Sequence, residues 1–143
     1  MSVFGAIQIS ASGLTAQSYR MDVIAQNIAN AETTRTENGT PYQRRSVVLA
    51  EQTGSQTFAD VMAREQSAGG VSVVATEADT SPFEMVYNPS HPDADADGYV
   101  SMPNVDLTQE YVDLISASRS YEANLTVLNA TKQMAMSALE LGK

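Results

Sequence analysis

Apolar residues recur at alternating spacings of three and four along the first zone of the chain, and no proline interrupts the pattern. Such a spacing is typical of a helix that packs along an apolar seam against another helix. Gly5 and Gly13 weaken this helix, each by about 1 kcal/mol relative to alanine. The pattern predicts an N-terminal helix within residues 1–31. Its seam residues are Phe4, Ile7, Ala11, Leu14, Ser18, Met21, Ala25 and Ile28.

A second helical pattern covers residues 106–143. Asp106 stands where a helix N-cap is expected, and Gln109 occupies the third helical position, as in a capping box. Lys132 breaks the register of the seam, and Gly142 follows the last apolar residue, where a C-terminal cap is expected. The pattern therefore predicts a long C-terminal helix. Its seam residues are Tyr111, Leu114, Ser118, Tyr121, Leu125, Leu128, Lys132, Ala135 and Leu139.

The middle region, residues 32–105, has a different pattern. It holds all five prolines, and short runs of alternating apolar and polar residues predict strands. These runs lie at 42–50, 71–75, 83–87 and 99–102. Turn signals separate them at Asn38-Gly39, Gly69-Gly70, Asn88-Pro89 and Asp97-Gly98. Residues 57–66 are compatible with either a short helix or a mobile loop.

The three zones together predict an α+β fold. The N- and C-terminal helices form a long antiparallel, coiled-coil-like hairpin, because both carry a seam of the same spacing. The strand-rich middle region then projects from one end of this hairpin as a small domain.

Charged residues are scarce, at 17% of the chain, where about 25% is usual for a soluble protein. Between Phe4 and Ala31 the charged residues are Arg20 and Asp22 alone. A helix with so neutral a surface suits burial by other subunits on several sides. An ordinary amphipathic hairpin with an uncharged polar face fits the composition equally well. If the helices belong to an assembly, we expect the chain ends to become ordered when the subunits associate.

Composition and motifs argue against several classes of function. A net charge of −9 at pH 7 disfavours nucleic acid as a partner. The chain has no cysteine and one histidine, His91, so thiolate and histidine-rich metal sites are excluded. No apolar run approaches the roughly 18 residues of a membrane span, and the N-terminus lacks the basic region of a Sec-type signal peptide. Ser90 and His91 lie in a proline-rich turn without a nucleophile motif, so we expect neither an enzyme nor a cofactor.

Several sequence motifs resemble those of bacterial flagellar rod and hook proteins. At the N-terminal side they are 14–17 (LTAQ), 24–31 (IAQNIANA), Thr33 and 41–44 (PYQR). At the C-terminal side they are 116–124 (SASRSYEAN), Leu128, Lys132, Met134 and 139–142 (LELG). The runs 87–89, 91–95, 98–100 and 102–105 are similar to the short proximal-rod members rather than to the longer distal-rod and hook proteins.

This resemblance implies a structural subunit rather than an enzyme. Members of this family are exported through the flagellar type III export apparatus without a cleaved signal. They polymerise with themselves and with other rod proteins into a helical shaft in the periplasmic part of the basal body, which transmits motor torque. Their terminal helices form the axial core. The residues expected at the assembly interface are Ile7, Leu14, Met21, Ile24, Asn27, Ile28, Asn30, Leu114, Arg119, Tyr121, Glu122, Asn124, Leu125, Leu128 and Leu139.

One short motif suggests a different chemistry. Asp93, Asp95 and Asp97, followed by Gly98, match the start of an EF-hand calcium loop. The twelfth position is Asn104, whereas a calcium loop uses a bidentate glutamate there. The motif is therefore interpreted as an acidic turn, with a weak calcium site as the alternative. The remaining alternatives to a rod subunit are a soluble helical-hairpin secretion partner and a calcium-binding adaptor module.

Overall fold

The computed structural model describes residues 3–52 and 69–141 of the 143-residue chain. The segment 57–66 and the expected cap at Gly142 lie outside the described residues. The chain divides into two compact units. We call residues 1–19, 48–75 and 116–143 the terminal unit, and residues 20–47 and 76–115 the central unit.

The described part of the chain contains two long helices and four strands. Helix α1 spans Val3–Ala29 and helix α2 spans Leu107–Leu141. The strands are β1 Arg45–Glu51, β2 Val71–Ala78, β3 Glu84–Tyr87 and β4 Tyr99–Met102. The predicted α+β class is confirmed, and each of the four predicted strands is present. None of the described helices is long and apolar enough to cross a membrane.

The ends of the helices have identifiable local causes. At the end of α1, the Asn30 side-chain Nδ2 donates to the Gln26 carbonyl at 2.8 Å, and the helix ends at Ala29, within the predicted residues 1–31. At the start of α2, Asp106 Oδ1 accepts the backbone N–H of Thr108 at 2.8 Å and that of Gln109 at 3.3 Å. Asp106 is therefore the predicted N-cap. The Gln109 amide donates to Asp113 Oδ2 at 3.4 Å, one turn further along the helix.

The strands form two separate two-stranded ribbons, β1–β2 and β3–β4. In the central unit, the N–H of Asp79 donates to the Arg44 carbonyl at 2.7 Å. In the terminal unit, the N–H of Gln52 donates to the Gly70 carbonyl at 2.7 Å. Residue numbers thus rise along β1 as they fall along β2, and the ribbon is antiparallel. The β3–β4 ribbon is antiparallel as well, with Tyr87 opposite Tyr99.

Strand β1 begins at Arg45, later than the predicted residue 42, because the preceding backbone groups bond elsewhere. The N–H of Tyr42 donates to the Thr33 carbonyl at 3.1 Å, and the N–H of Arg44 donates to Asn104 Oδ1 at 2.8 Å. These bonds tie the segment before β1 to neighbouring loops of the central unit.

Within the central unit the two helices run antiparallel. Arg20 lies 3.6 Å from Asp113, and Asn27 lies 3.0 Å from Glu110, so residue numbers rise along α1 as they fall along α2. Within the terminal unit, α1 approaches α2 closely at Gly13, where an added Cβ would lie 2.9 Å from Asn124 Nδ2. Among the described residues, the buried apolar side chains are those of Ala16 and Ala117 in the terminal unit and of Val23, Ile24, Tyr42 and Val100 in the central unit.

Candidate assembly interface

Helix α2 exposes a row of large apolar side chains in the central unit. Leu107, Tyr111 and Ile115 are spaced four residues apart, so they lie on one side of the helix, and Val112 lies beside them. Their exposed fractions are 41%, 52%, 55% and 56% for Leu107, Tyr111, Ile115 and Val112, respectively. Exposed apolar side chains in such a row are consistent with contact with another protein.

The terminal unit exposes a second set of large apolar side chains. On α1, Phe4 is 84% exposed. On α2, Leu139 is 74% exposed and Met134 is 63% exposed. Further exposed members are Leu125, Val127 and Met136 on α2, Ile9 and Tyr19 on α1, and Val71 and Val74 on β2. So many apolar side chains at the solvent surface would cost stability in an isolated chain, and they are consistent with burial by neighbouring molecules.

The apolar residues expected at the assembly interface fall into three groups by burial. Ile24 is buried within the central unit. The half-buried group consists of Ile7, Leu14, Met21, Ile28, Leu114, Tyr121 and Leu128. Leu125 and Leu139 are exposed. The seam does not predict three further apolar residues of α2 at the interface, because they lie beside it. These residues are Val112, Ile115 and Val127, and each is more than half exposed. The sequence signal for these three residues is that each is apolar and lies beside the seam of a helix whose seam is already apolar.

Asn27 is the centre of a buried hydrogen-bond network in the central unit and is only 1% exposed. Its Nδ2 donates to the Arg45 carbonyl at 2.8 Å and to Glu110 Oε2 at 3.0 Å. Its Oδ1 accepts the Tyr42 hydroxyl at 2.9 Å and the Arg45 backbone N–H at 3.0 Å. The side-chain amide therefore uses two donor and two acceptor positions within its own chain, and this joins α1, the start of β1 and α2.

Glu110 is fully buried and carries the charge of this network. Its Oε1 accepts Arg44 Nε at 2.6 Å, a charge-assisted hydrogen bond. The guanidinium of Arg44 also lies 3.5 Å from Asp113 Oδ2 and 4.0 Å from Asp79 Oδ2. One arginine thus neutralises the buried carboxylate and reaches two partly exposed ones. We call Asn27, Tyr42, Arg44 and Glu110 the polar junction.

Two pKa shifts reflect the surroundings of the polar junction. Burial raises the pKa of Tyr42, the Arg45 guanidinium opposes that shift, and the negative charge of Glu110 adds to it. The Arg45 guanidinium carbon lies 5.9 Å from the centre of the Tyr42 ring. Hydrogen bonds from the Ser81 hydroxyl and backbone N–H, with a smaller contribution from Arg44, lower the pKa of the exposed Asp79.

The other polar residues predicted at the interface have separate surroundings. Asn30 ends α1, as described above, and its Oδ1 accepts the Thr33 hydroxyl at 3.2 Å. Asn124 lies against Gly13 in the terminal unit. Arg119 and Glu122 are exposed on α2. Of the five polar residues, the structure brings only Asn27 into the polar junction.

Two carboxylates of the calcium-like motif, those of Asp93 and Asp95, have protein partners in the described structure. Asp93 accepts the Thr34 hydroxyl at 2.8 Å and lies 3.4 Å from Arg35 Nη1. Asp95 Oδ1 accepts the backbone N–H groups of Asp97 and Tyr99 at 3.0 and 2.8 Å. Within residues 3–52 and 69–141, no three His, Cys, Asp or Glu side chains converge as a set of metal ligands. These bonds describe an acidic turn stabilised by its own backbone.

Comparison with known proteins identifies both ends of the chain. Residues 7–35 match the family described as "Flagella basal body rod protein". Residues 96–141 match the family described as "Flagellar basal body rod FlgEFG protein C-terminal". The class of protein is therefore a structural rod subunit of the bacterial flagellum.

Relatives that match over the full length of the chain show which family of rod proteins it belongs to. The flagellar basal-body rod protein FlgC of Bacillus subtilis is 47% identical, with 100% of both chains covered. FlgC of Borreliella burgdorferi is 44% identical over 99% of this chain and 98% of that protein. FlgC of Salmonella typhimurium is 42% identical over 100% of both. The chain belongs to the FlgC family of flagellar basal-body rod proteins.

Proposed function

We propose that the chain enters the rod through its two long helices, which pack against copies of itself and against other rod proteins. The observation that carries this proposal is the set of exposed apolar side chains on α2, from Leu107 to Leu139. Burying the exposed part of these side chains favours association by about 25 cal/mol per Å² of apolar surface removed from water.

The assembled rod would act as a drive shaft that transmits motor torque. Torque transmission requires stiffness, and densely packed protein interiors have low compressibility and transmit strain. In each subunit, the polar junction supports this role by fixing the position of α1 against α2 within the central unit. Its buried ion pair and four-bonded amide hold one arrangement of side chains, because any other leaves a buried polar group without a partner.

The finer points of this role are also proposals. The subunit is exported by the flagellar type III apparatus with its N-terminus uncleaved, and it resides in the periplasmic part of the basal body. It performs no catalysis, which is supported by its membership of a family of structural rod proteins. Mass spectrometry of the subunit in purified basal bodies tests the export route, because a cleaved signal would shorten the chain.

Paired charge substitutions on α2 test the assembly role. In a strain that lacks its own FlgC, the double variant Met134→Glu/Leu139→Glu is compared with Gln133→Glu/Ser137→Glu. Both variants add the same charge to exposed positions of the same helix. We expect the first to abolish motility and incorporation into basal bodies, because it places charges on an apolar contact surface. The second should retain both.

Thermal melting of the two purified variants separates assembly from folding. We expect similar melting temperatures, since all four positions are exposed. Normal motility and normal incorporation of the Met134→Glu/Leu139→Glu variant would contradict the proposal.

A further inference from the structure

The β3–β4 ribbon of the central unit has one face that is apolar and exposed. Its register places Tyr87 opposite Tyr99 and Met85 opposite Ser101, so these four side chains share a face. Met85, Tyr87 and Tyr99 are 54%, 64% and 42% exposed. Val100 belongs to the opposite face and is buried. We call Met85, Tyr87, Tyr99 and Ser101 the tyrosine face.

Contacts within the ribbon hold the tyrosine face in one arrangement. The two tyrosine rings meet edge to face, with centroids 5.3 Å apart and planes at 65°. The Ser101 hydroxyl lies 3.2 Å from Met85 Sδ. Gly98, with φ of 84°, forms the turn before β4, and a Cβ there would lie 3.0 Å from the Tyr87 ring. A preformed aromatic surface loses little side-chain entropy when it binds.

An open cavity of about 380 Å³ adjoins this face, since Tyr99 and Ser101 also line its wall. Pro41 and Pro92 contribute apolar surface to the cavity. Its charged lining residues are Asp95 and the ion pair of Arg35 with Asp93, so the cavity carries one negative charge in excess. The combination offers room for a long side chain beside the aromatic rings, with a negative group within the same cavity.

The charge of the central unit restricts what can bind there. Twelve of the chain's 17 Asp and Glu residues lie in this unit but only four of its eight Lys and Arg residues, so the unit carries −8 of the total charge of −9. All residues of the unit are described. Its four arginines already have partners: Arg20 with Asp113, Arg35 with Asp93, Arg44 with Glu110, and Arg45 with the Tyr42 ring.

Exposed carboxylates without a described ion-pair partner lie at both ends of the β3–β4 ribbon. Glu84 lies at the start of β3, where strand alternation assigns it to the face opposite Met85, and Asp97 lies in the turn before β4. Both are exposed, and neither is in an ion pair with a described Arg or Lys. The central unit of a second copy would bring like charges together at such a surface, which opposes docking.

We infer that the tyrosine face is a docking surface for a segment rich in arginine and lysine on a different protein. Guanidinium and ammonium groups are attracted to the faces of tyrosine rings and to the carboxylates at the ends of the ribbon. The partner's aliphatic stems cover Met85 and enter the cavity beside Tyr99. The inference rests on the proposed function in one respect, since the partner is met in the assembled basal body.

Site-directed cross-linking in basal bodies tests the inference. The chain has no cysteine, so Met85→Cys provides a single attachment point that retains both tyrosine rings. A cysteine-reactive photo-cross-linker is attached in isolated basal bodies, and the cross-linked peptides are sequenced by mass spectrometry. The expected product joins residue 85 to an Arg- or Lys-rich segment of another protein. A product with a second copy of this chain, a product with a neutral or acidic segment, or no product would overturn the inference.

Charge variants provide a second, independent test of the inference. On the Met85→Cys background, Glu84→Lys/Asp97→Lys should lower the cross-linking yield about ten-fold, and raising the salt concentration should lower the yield of the parent. Thr80→Lys/Glu77→Lys changes exposed residues of the same unit away from this face and should leave the yield unchanged. Equal yields from both charge variants would overturn the inference. Absence of the unmodified chain from basal bodies would instead count against the proposed function, and the cross-linking yield of each variant is scored per incorporated subunit.

Discussion

Arg44 Nε donates to Glu110 Oε1 at 2.6 Å, and this bond joins the segment before β1 to the first turn of α2. The two residues are 66 positions apart in sequence, and Glu110 is fully buried. A buried carboxylate of this kind is tolerated only with its partner in place. The pair therefore makes the folding of the central unit depend on a contact between its two sequence segments.

Loss of Arg44 is expected to destabilise the chain more than loss of both partners. Arg44→Met should lower the free energy of unfolding by about 3–5 kcal/mol, because Glu110 is left as an unpaired buried charge. The double variant Arg44→Met/Glu110→Leu should be less destabilised than Arg44→Met alone. Urea unfolding of the wild type, both single variants and the double variant completes the cycle. Additive effects would show that the two side chains are not coupled.

Replacement of Asn27 by aspartate tests the amide at the centre of the polar junction. The change places a second carboxylate where Nδ2 now donates to Glu110 Oε2 at 3.0 Å, and it removes the donor to the Arg45 carbonyl. We expect a loss of about 3 kcal/mol or more in the free energy of unfolding. Asn30→Asp removes one exposed hydrogen bond at the end of α1 and should cost about 1 kcal/mol. Similar losses for the two variants would contradict the assignment.

Tyr42 predicts a loss of stability at alkaline pH. Its pKa in the folded chain lies above the ordinary value of 10.0, so the folded state retains a proton that the unfolded state has released. Its contribution to stability is fully present below about pH 10. It is lost as the pH rises from there through the raised pKa of the folded state.

The comparison with Tyr42→Phe isolates this contribution. The variant loses the hydrogen bond to Asn27, at a cost of about 1 kcal/mol near neutral pH. The difference in unfolding free energy between wild type and variant should then shrink above pH 10, since the other five of the chain's six tyrosines titrate in both proteins. A difference that stays constant up to the highest pH at which both proteins fold would argue against a buried Tyr42 hydroxyl.

Local signals in the sequence predicted the elements of this fold but not the polar junction. The helices, the Asp106 N-cap and the four strands follow from seams, caps and turns that lie within a few residues of each other. The sequence predicts Asn27 as a polar contact but does not predict its partner Glu110. No local pattern distinguishes a buried glutamate near a helix start from a solvated one. The exposure of Val112 and Ile115 likewise depends on how α2 packs, which sequence spacing alone does not determine.

From the sequence pattern alone, Gly13 is predicted only to destabilise α1. In the terminal unit an added Cβ would lie 2.9 Å from Asn124 Nδ2 and 3.3 Å from its Cγ. Alanine gains about 1 kcal/mol over glycine in a helix interior, but here Asn124 must move to admit the methyl group. We therefore expect Gly13→Ala to be no more stable than the wild type.

Removal of the Asn124 side chain should release the stabilising effect of alanine at position 13. The double variant Gly13→Ala/Asn124→Ala is expected to exceed Asn124→Ala in free energy of unfolding by about 1 kcal/mol, since the methyl group then meets no neighbour that must shift. Urea unfolding of all four proteins measures the coupling. A Gly13→Ala variant that gains the full increment with Asn124 in place would show that the two helices do not need glycine at this contact.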